Sequence, residues 1–149
     1  MIEDLQIRSK KFALAIIKFI VHLPNNRVGW TFKDQIVRSS TSVAANYRAV
    51  CRAKSDKDFI FKMETVIEEA YETLFWLEMI EESGIMNEDF GLRDLKKEGN
   101  ELVLIFVASV KTVKQRLNHK FEIVDFLTYV NGHPLKTHEL CSTSNTNES

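Results

Sequence analysis

The 149-residue sequence predicts an all-α protein, an antiparallel up-down-up-down four-helix bundle that forms oligomers. Three observations carry that expectation. Apolar residues recur at three- and four-residue spacing in four long stretches. Only five Gly and two Pro punctuate the chain, and Pro24, Gly84 and Gly91 fall where the periodicity stops. The connections between the stretches are short, which favours neighbouring helices of alternating direction.

The first helix is expected from about residue 4 to 23, with Leu5, Phe12, Ile16, Phe19 and Leu23 on its core side and Arg8, Lys11 and Lys18 opposite. Pro24-Asn25-Asn26 ends it. The second starts near Thr31, read as an N-cap with Asp34 reaching back, and ends near Lys54. Its stripe is Ile36, Val43, Tyr47 and Val50. Ser55 with Asp58 opens the third helix, in which Ile60, Met63, Ile67, Ala70, Leu74 and Leu77 alternate for nearly three heptads before Gly84 closes it. The fourth begins loosely at residues 87–91 and runs to about Asn118, marked by Leu95, Leu102, Phe106, Val113 and Leu117. A bundle domain therefore covers residues 1–119. Residues 121–130 fit one weak helix or strand, and the segment 120–149, rich in Ser, Thr and Asn toward its end, reads as a mobile tail.

Composition narrows the class of function. Hydrophobic residues make up 44 % and charged residues 28 %, and the formal net charge is −1, so collagen, disulfide scaffolds and wholly disordered chains are excluded. A strongly basic nucleic-acid binder or a strongly acidic calcium protein would lie well away from neutrality. The start Met-Ile-Glu-Asp lacks the basic and apolar regions of a secretory signal. The longest apolar run, residues 102–108, is too short to span a membrane, which takes about 20 residues. Cys51 and Cys141 match no zinc or redox spacing, so the expected location is the cytoplasm and Cys51 is read as a small core residue.

The near-zero charge is a cancellation. Residues 1–62 carry a net +7, residues 63–101 a net −9 and residues 102–149 a net +1. Arg38, Arg48 and Arg52 fall within about an 80° arc of the second helix at 100° per residue. Lys54 and Lys57 continue past its end. Cations on one face can contact successive phosphates, which makes these five residues the candidate nucleic-acid contacts. The competing reading pairs this face with the acidic third helix, and repetition around an oligomer would compensate for a weak patch on each subunit.

Two places hold more apolar surface than a monomeric bundle needs. Residues 102–110 include one polar side chain, Ser109, and Phe75 and Trp76 sit beside Leu74 and Leu77. Self-association would bury them, with Phe75, Trp76, Leu104, Ile105 and Val107 as candidate interface residues. The alternative is a broad internal core covered by the tail.

Catalytic and metal chemistry find little support. Glu64, Glu68 and Glu72 share a face, but a di-iron bundle also needs Glu-x-x-His pairs, and His22, His119, His133 and His138 supply none. There is no glycine-rich phosphate loop and no nucleophile with an obvious histidine base. A solvated or ion-paired acidic face accounts for the glutamates. The small-residue run Ser39-Ser40-Thr41-Ser42 and Ala44-Ala45-Asn46 suits close helix packing rather than catalysis. Neither cofactor nor small-molecule substrate is expected.

The stretch Gln35-Ile36-Val37-Arg38-Ser39, then Thr41-Ser42-Val43-Ala44-Ala45-Asn46-Tyr47-Arg48-Ala49, then Cys51-Arg52-Ala53-Lys54-Ser55, resembles the bacterial four-helix bundle family, the 23S rRNA-intervening sequence proteins. The likeness continues through Phe59-Ile60, Glu68-Glu69-Ala70 and Glu72-Thr73-Leu74-Phe75-Trp76-Leu77-Glu78, and again at Asn100-Glu101-Leu102 and Val107-Ala108-Ser109. It covers about residues 5–117. Tyr71 stands where an acidic residue is usual in the family. The resemblance implies a bundle protomer assembling into a homopentameric ring. The similar accessory variability determinant of diversity-generating retroelements is a basic pentamer that binds a reverse transcriptase and nucleic acid, and its role maps only onto Arg38, Arg48 and Arg52. The leading expectation is a non-enzymatic, homo-oligomeric binding protein that contacts RNA or an RNA-bound protein. The alternative is a protein-binding scaffold without nucleic-acid contact, and the distant alternative a carboxylate metal enzyme.

Overall fold

The computed structural model describes residues 4–130, with side chains through residue 124. Four α-helices make up the fold: α1 (Leu5–Phe19), α2 (Arg27–Val50), α3 (Asp56–Glu82) and α4 (Leu92–Val130), with a single 3₁₀ turn, Ile20–His22, after α1. There is no strand among the described residues. The chain divides into two compact units, Met1–Lys111 and Thr112–Ser149. The first contains α1, α2, α3 and the start of α4.

Helices α1, α2 and α3 each begin on a side chain that satisfies an otherwise unpaired amide. Asp4 accepts from the Gln6 amide at 2.9 Å and opens α1. Asn26, not Thr31, caps α2 and accepts from the Gly29 amide at 2.9 Å. The expected start near Thr31 was therefore a turn late. Thr31 is already inside the helix, with its hydroxyl donating to the Arg27 carbonyl. Asn26 prevails because Gly29 lets the preceding turn close in: a Cβ there would overlap the Pro24 carbonyl oxygen. Ser55 caps α3 as expected, its hydroxyl accepting from the Asp58 amide at 3.1 Å. The reciprocal bond goes one residue further back, with the Lys54 amide donating to the Asp58 carboxylate. Gly84, at φ +62°, follows the end of α3 as a left-handed residue.

The boundaries differ at two other places. α2 stops at Val50 rather than near Lys54, so Cys51 forms its C-cap and is exposed, correcting its reading as a core residue. α4 continues without a break through residues 120–130, so that segment is helix rather than strand. The rest of the expected tail, residues 131–149, lies outside the described residues.

The core of the first unit follows the heptad stripes. Phe12, Ile16, Phe19 and Leu23 from α1 and its following turn meet Ile36, Val43 and Val50 of α2, Met63, Ala70, Leu74 and Leu77 of α3, and Leu95, Leu102 and Phe106 of α4. At about 25 cal/mol per Å² of apolar surface removed from water, burial of each large side chain contributes roughly 1.5–3 kcal/mol. One polar pair is buried among them: the Thr73 and Ser39 hydroxyls lie 3.0 Å apart between α3 and α2. Thr73 Oγ1 is also 2.8 Å from the Glu69 carbonyl oxygen, so the pair keeps partners inside the core. Of the small-residue run of α2, Ser39 and Ser40 are buried in the packing, whereas Thr41, Ser42, Ala44 and Asn46 are half-buried and Ala45 is exposed. Gly99 brings α4 close to Leu74 and Phe12, where a Cβ would meet side-chain atoms at 2.8 and 3.2 Å.

Candidate functional site

The basic residues predicted on one face separate into two groups. Arg38 projects from α2 toward α3, where its guanidinium pairs with Glu72 and stands 3.5 Å from Glu69. The Trp76 indole also donates to the Glu72 carboxylate, at 3.3 Å. The Arg38 bond holds the Glu72 carboxyl below the usual carboxylate range. Glu69 Oε2 is buried with no hydrogen bond of its own, so the nearby Arg38 charge is what offsets its desolvation. Arg38 is thus ion-paired with α3, as the reading that pairs this face with the acidic helix expects, while its side chain remains half-exposed.

Arg48, Arg52, Lys54 and Lys57 form the other group. All four are exposed, at the end of α2, in the turn after it and at the start of α3. Because α2 ends at Val50, Arg52 reaches this surface from a turn and not from the helical arc that the spacing suggested. Asp56 and Asp58 are the nearby acids, and the Asp58 carboxyl is held below its ordinary value by the Lys62 ammonium first and the Lys54 amide second. Four exposed cations within ten residues, set where two helices join, outnumber Asp56 and Asp58 and make a positive corner.

The apolar candidates are likewise split. Phe75, Leu104 and Val107 are exposed, Leu104 to 69 %. Trp76 and Ile105 are half-buried. Trp76 packs against the core beside Phe32, at 6.0 Å between ring centroids, while Phe75 meets it edge-on at 5.0 Å. Trp76 therefore belongs as much to the protomer as to any interface.

A cleft of about 550 Å³ was not anticipated. It lies along α1 and the start of α4 and is lined by Phe12, Phe19, His22 and Phe90, with Lys18 and Asp94 among its charged residues. Arg8 also lines it but is held by Glu98, through two bonds of 2.7 and 2.9 Å, and by Glu101 at 2.7 Å. Phe90 adopts φ +46°, a region costly for residues with a side chain. Its ring stacks on His22 at 4.2 Å with the planes 6° apart. Nothing local in the sequence marks that pair, since 68 positions separate them; Gly91, at φ +90°, is the nearest signal of an unusual backbone. Among the described residues, no three His, Cys, Asp or Glu side chains gather closely enough to hold a metal ion. No described helix is long and apolar enough to cross a membrane.

Comparison with known proteins agrees with this architecture. A solved structure of a protein of unknown function from the S23 ribosomal protein family of Bacteroides thetaiotaomicron superimposes with a TM-score of 0.65 at 28 % identity. The alignment covers 72 % of this chain and 99 % of that one. No curated protein matches. The profile of the 23S rRNA-intervening sequence proteins matches residues 3–107, from the start of α1 through the exposed apolar part of α4. The chain belongs to the 23S rRNA-intervening sequence protein family.

Proposed function

We propose that this protein is a non-enzymatic, cytoplasmic binding protein, a homopentamer of antiparallel bundles whose positive corner contacts RNA or an RNA-bound protein. The observation that carries the reading is the exposed quartet Arg48, Arg52, Lys54 and Lys57, which stands apart from the cation consumed by α3. A family named for intervening sequences of 23S rRNA is consistent with an RNA-linked role. The exposed side chains of Phe75, Leu104 and Val107 support self-association. Contacts such as Phe32 with Trp76 and Ser39 with Thr73, whose numbering rises in one helix as it falls in the other overall, support alternating helix directions.

Five copies of the quartet would multiply a weak single-site affinity through avidity. The test is fluorescence anisotropy with a labelled single-stranded RNA across a salt series. If the quartet neutralises four phosphates, the logarithm of affinity falls with the logarithm of salt at a slope near −3, from about 0.7 per phosphate on a single strand. Alanine at all four positions removes most of that slope, whereas Arg38→Ala leaves it largely intact. Absence of binding at low salt, or a slope unchanged in the quadruple variant, favours the second reading. That reading is a protein-binding scaffold, and the near-neutral charge of the whole chain favours it.

A further inference from the structure

Two exposed helix faces carry apolar side chains that line neither the positive corner nor the cleft, although Lys57 and Lys18 at their edges do. On α1, Ile7, Leu14 and Ile17 are each at least 40 % exposed and fall within an arc of about 80° at 100° per residue. On α3, Phe61, Tyr71, Phe75 and Met79 are exposed and occupy an arc of similar width.

The charges around these faces have opposite signs. Every charged residue of α1 is basic, and Lys10 and Lys18 lie exposed beside its apolar residues. The α3 face carries Glu64, Glu68, Glu78 and Glu82 between its apolar residues, with Lys57 at its start. Both α2 and α4 pack on α1 and on α3, as the Arg8–Glu98 and Lys96–Glu81 ion pairs illustrate for α4. The two exposed faces therefore lie on opposite flanks of the unit.

We infer that the basic apolar face of α1 in one copy docks on the acidic apolar face of α3 in the next. The inference rests on the self-association proposed above and specifies its geometry. A symmetric pairing of like faces would set lysines against lysines or glutamates against glutamates, which is repulsive. The unlike pairing buries apolar side chains and matches charge in one contact. Because the donor and acceptor faces differ, the contact is heterologous and leaves both outer faces available for repetition, as a closed ring requires. Phe75 is the one candidate interface residue from the sequence that lies in this contact; α1 enters it unannounced.

Charge exchange in the full-length chain tests this. Sedimentation velocity is measured for the wild type, for Lys10→Glu with Lys18→Glu, for Glu68→Lys with Glu78→Lys, and for the chain carrying all four substitutions. All four positions are exposed, and far-UV circular dichroism with a thermal melt checks that the bundle is retained. Each pair alone weakens association about tenfold or more, and the four together return it to near the wild-type value, because the attraction is restored with its direction reversed. An oligomeric wild type whose assembly is indifferent to both pairs, or a four-substitution chain no better than the pairs, overturns the docking inference and leaves self-association standing. A wild type that sediments as a 17.3 kDa monomer at every concentration overturns self-association and this inference with it. If one pair unfolds the chain, Leu14→Cys and Phe75→Cys in a Cys51→Ser, Cys141→Ser background decide the matter. Oxidation of their mixture must give a mixed disulfide, and failure to form one in an assembled protein overturns the docking inference.

Discussion

Replacing Gly29 by alanine asks where α2 begins, and the sign of its effect is the answer. In an ordinary helix interior alanine is favoured over glycine by about 1 kcal/mol. At position 29 the added Cβ would overlap the Pro24 carbonyl oxygen and lie 3.0 Å from its carbonyl carbon. Backbone atoms cannot rotate aside, so the turn holding the Asn26 cap must shift. Disturbing that cap costs about 1 kcal/mol. Overpacking adds about 1–3 kcal/mol. After the propensity gain is subtracted, Gly29→Ala is expected to destabilise the protein by about 1–3 kcal/mol. The measurement is urea unfolding followed by far-UV circular dichroism at one fixed protein concentration, because assembly couples to the midpoint. Thr31→Ala is the companion variant. Its hydroxyl bonds back to Arg27 inside the helix, so its loss should change stability by no more than about 0.5 kcal/mol. A stabilised Gly29→Ala together with a Thr31→Ala that costs a full cap would refute the reasoning and restore the later helix start.

Three further outcomes are expected. Thr73→Val keeps the shape of a core side chain while removing its hydroxyl, and should cost about 1 kcal/mol. Adding Ser39→Ala should cost less than it does alone, and a double-mutant cycle by urea unfolding reads that coupling. Arg38 lowers the Glu72 pKa below 4.5, so the folded state binds a proton there less readily than the unfolded chain. The stability this gives is present above that value and is lost as pH falls through the folded-state value; Glu72→Gln should flatten this acid limb in unfolding midpoints taken from about pH 6 to about pH 3. Burial pushes the Tyr47 phenol up to about 12 from 10.0, so the folded protein retains the proton that the unfolded chain releases. Stability therefore declines as pH rises from 10.0 toward that value, and Tyr47→Phe should remove the late step in phenolate absorbance.

The four helices were legible because their apolar spacing is regular and each core stripe runs through several turns. Phe12, Ile16, Ile36, Val43, Met63, Leu77, Leu102 and Phe106 are all predicted and all buried. Boundaries were less legible where two local signals compete. Thr31 with Asp34 has the form of a capping box, but Asn26 gains the close turn that Gly29 permits. The basic patch was read as one arc because helix α2 was expected to reach Lys54. Its end at Val50 moves Arg52 into a turn, and the α3 glutamates claim Arg38.

Helical periodicity, capping residues and the alternation of basic and acidic segments are properties of neighbours along the chain, and the sequence by itself determines them. It also determines the family, through an ordered set of residues that the profile matches over residues 3–107. Which charges cancel and which remain was decided only when helices came together. Arg38 and Glu72 are 34 residues apart, His22 and Phe90 are 68, and only packing brings each pair into contact. The same holds for the outer faces of α1 and α3. Ile7, Leu14 and Ile17 lie off the predicted core stripe of α1, and only the packing of that stripe against the other helices leaves those apolar side chains exposed.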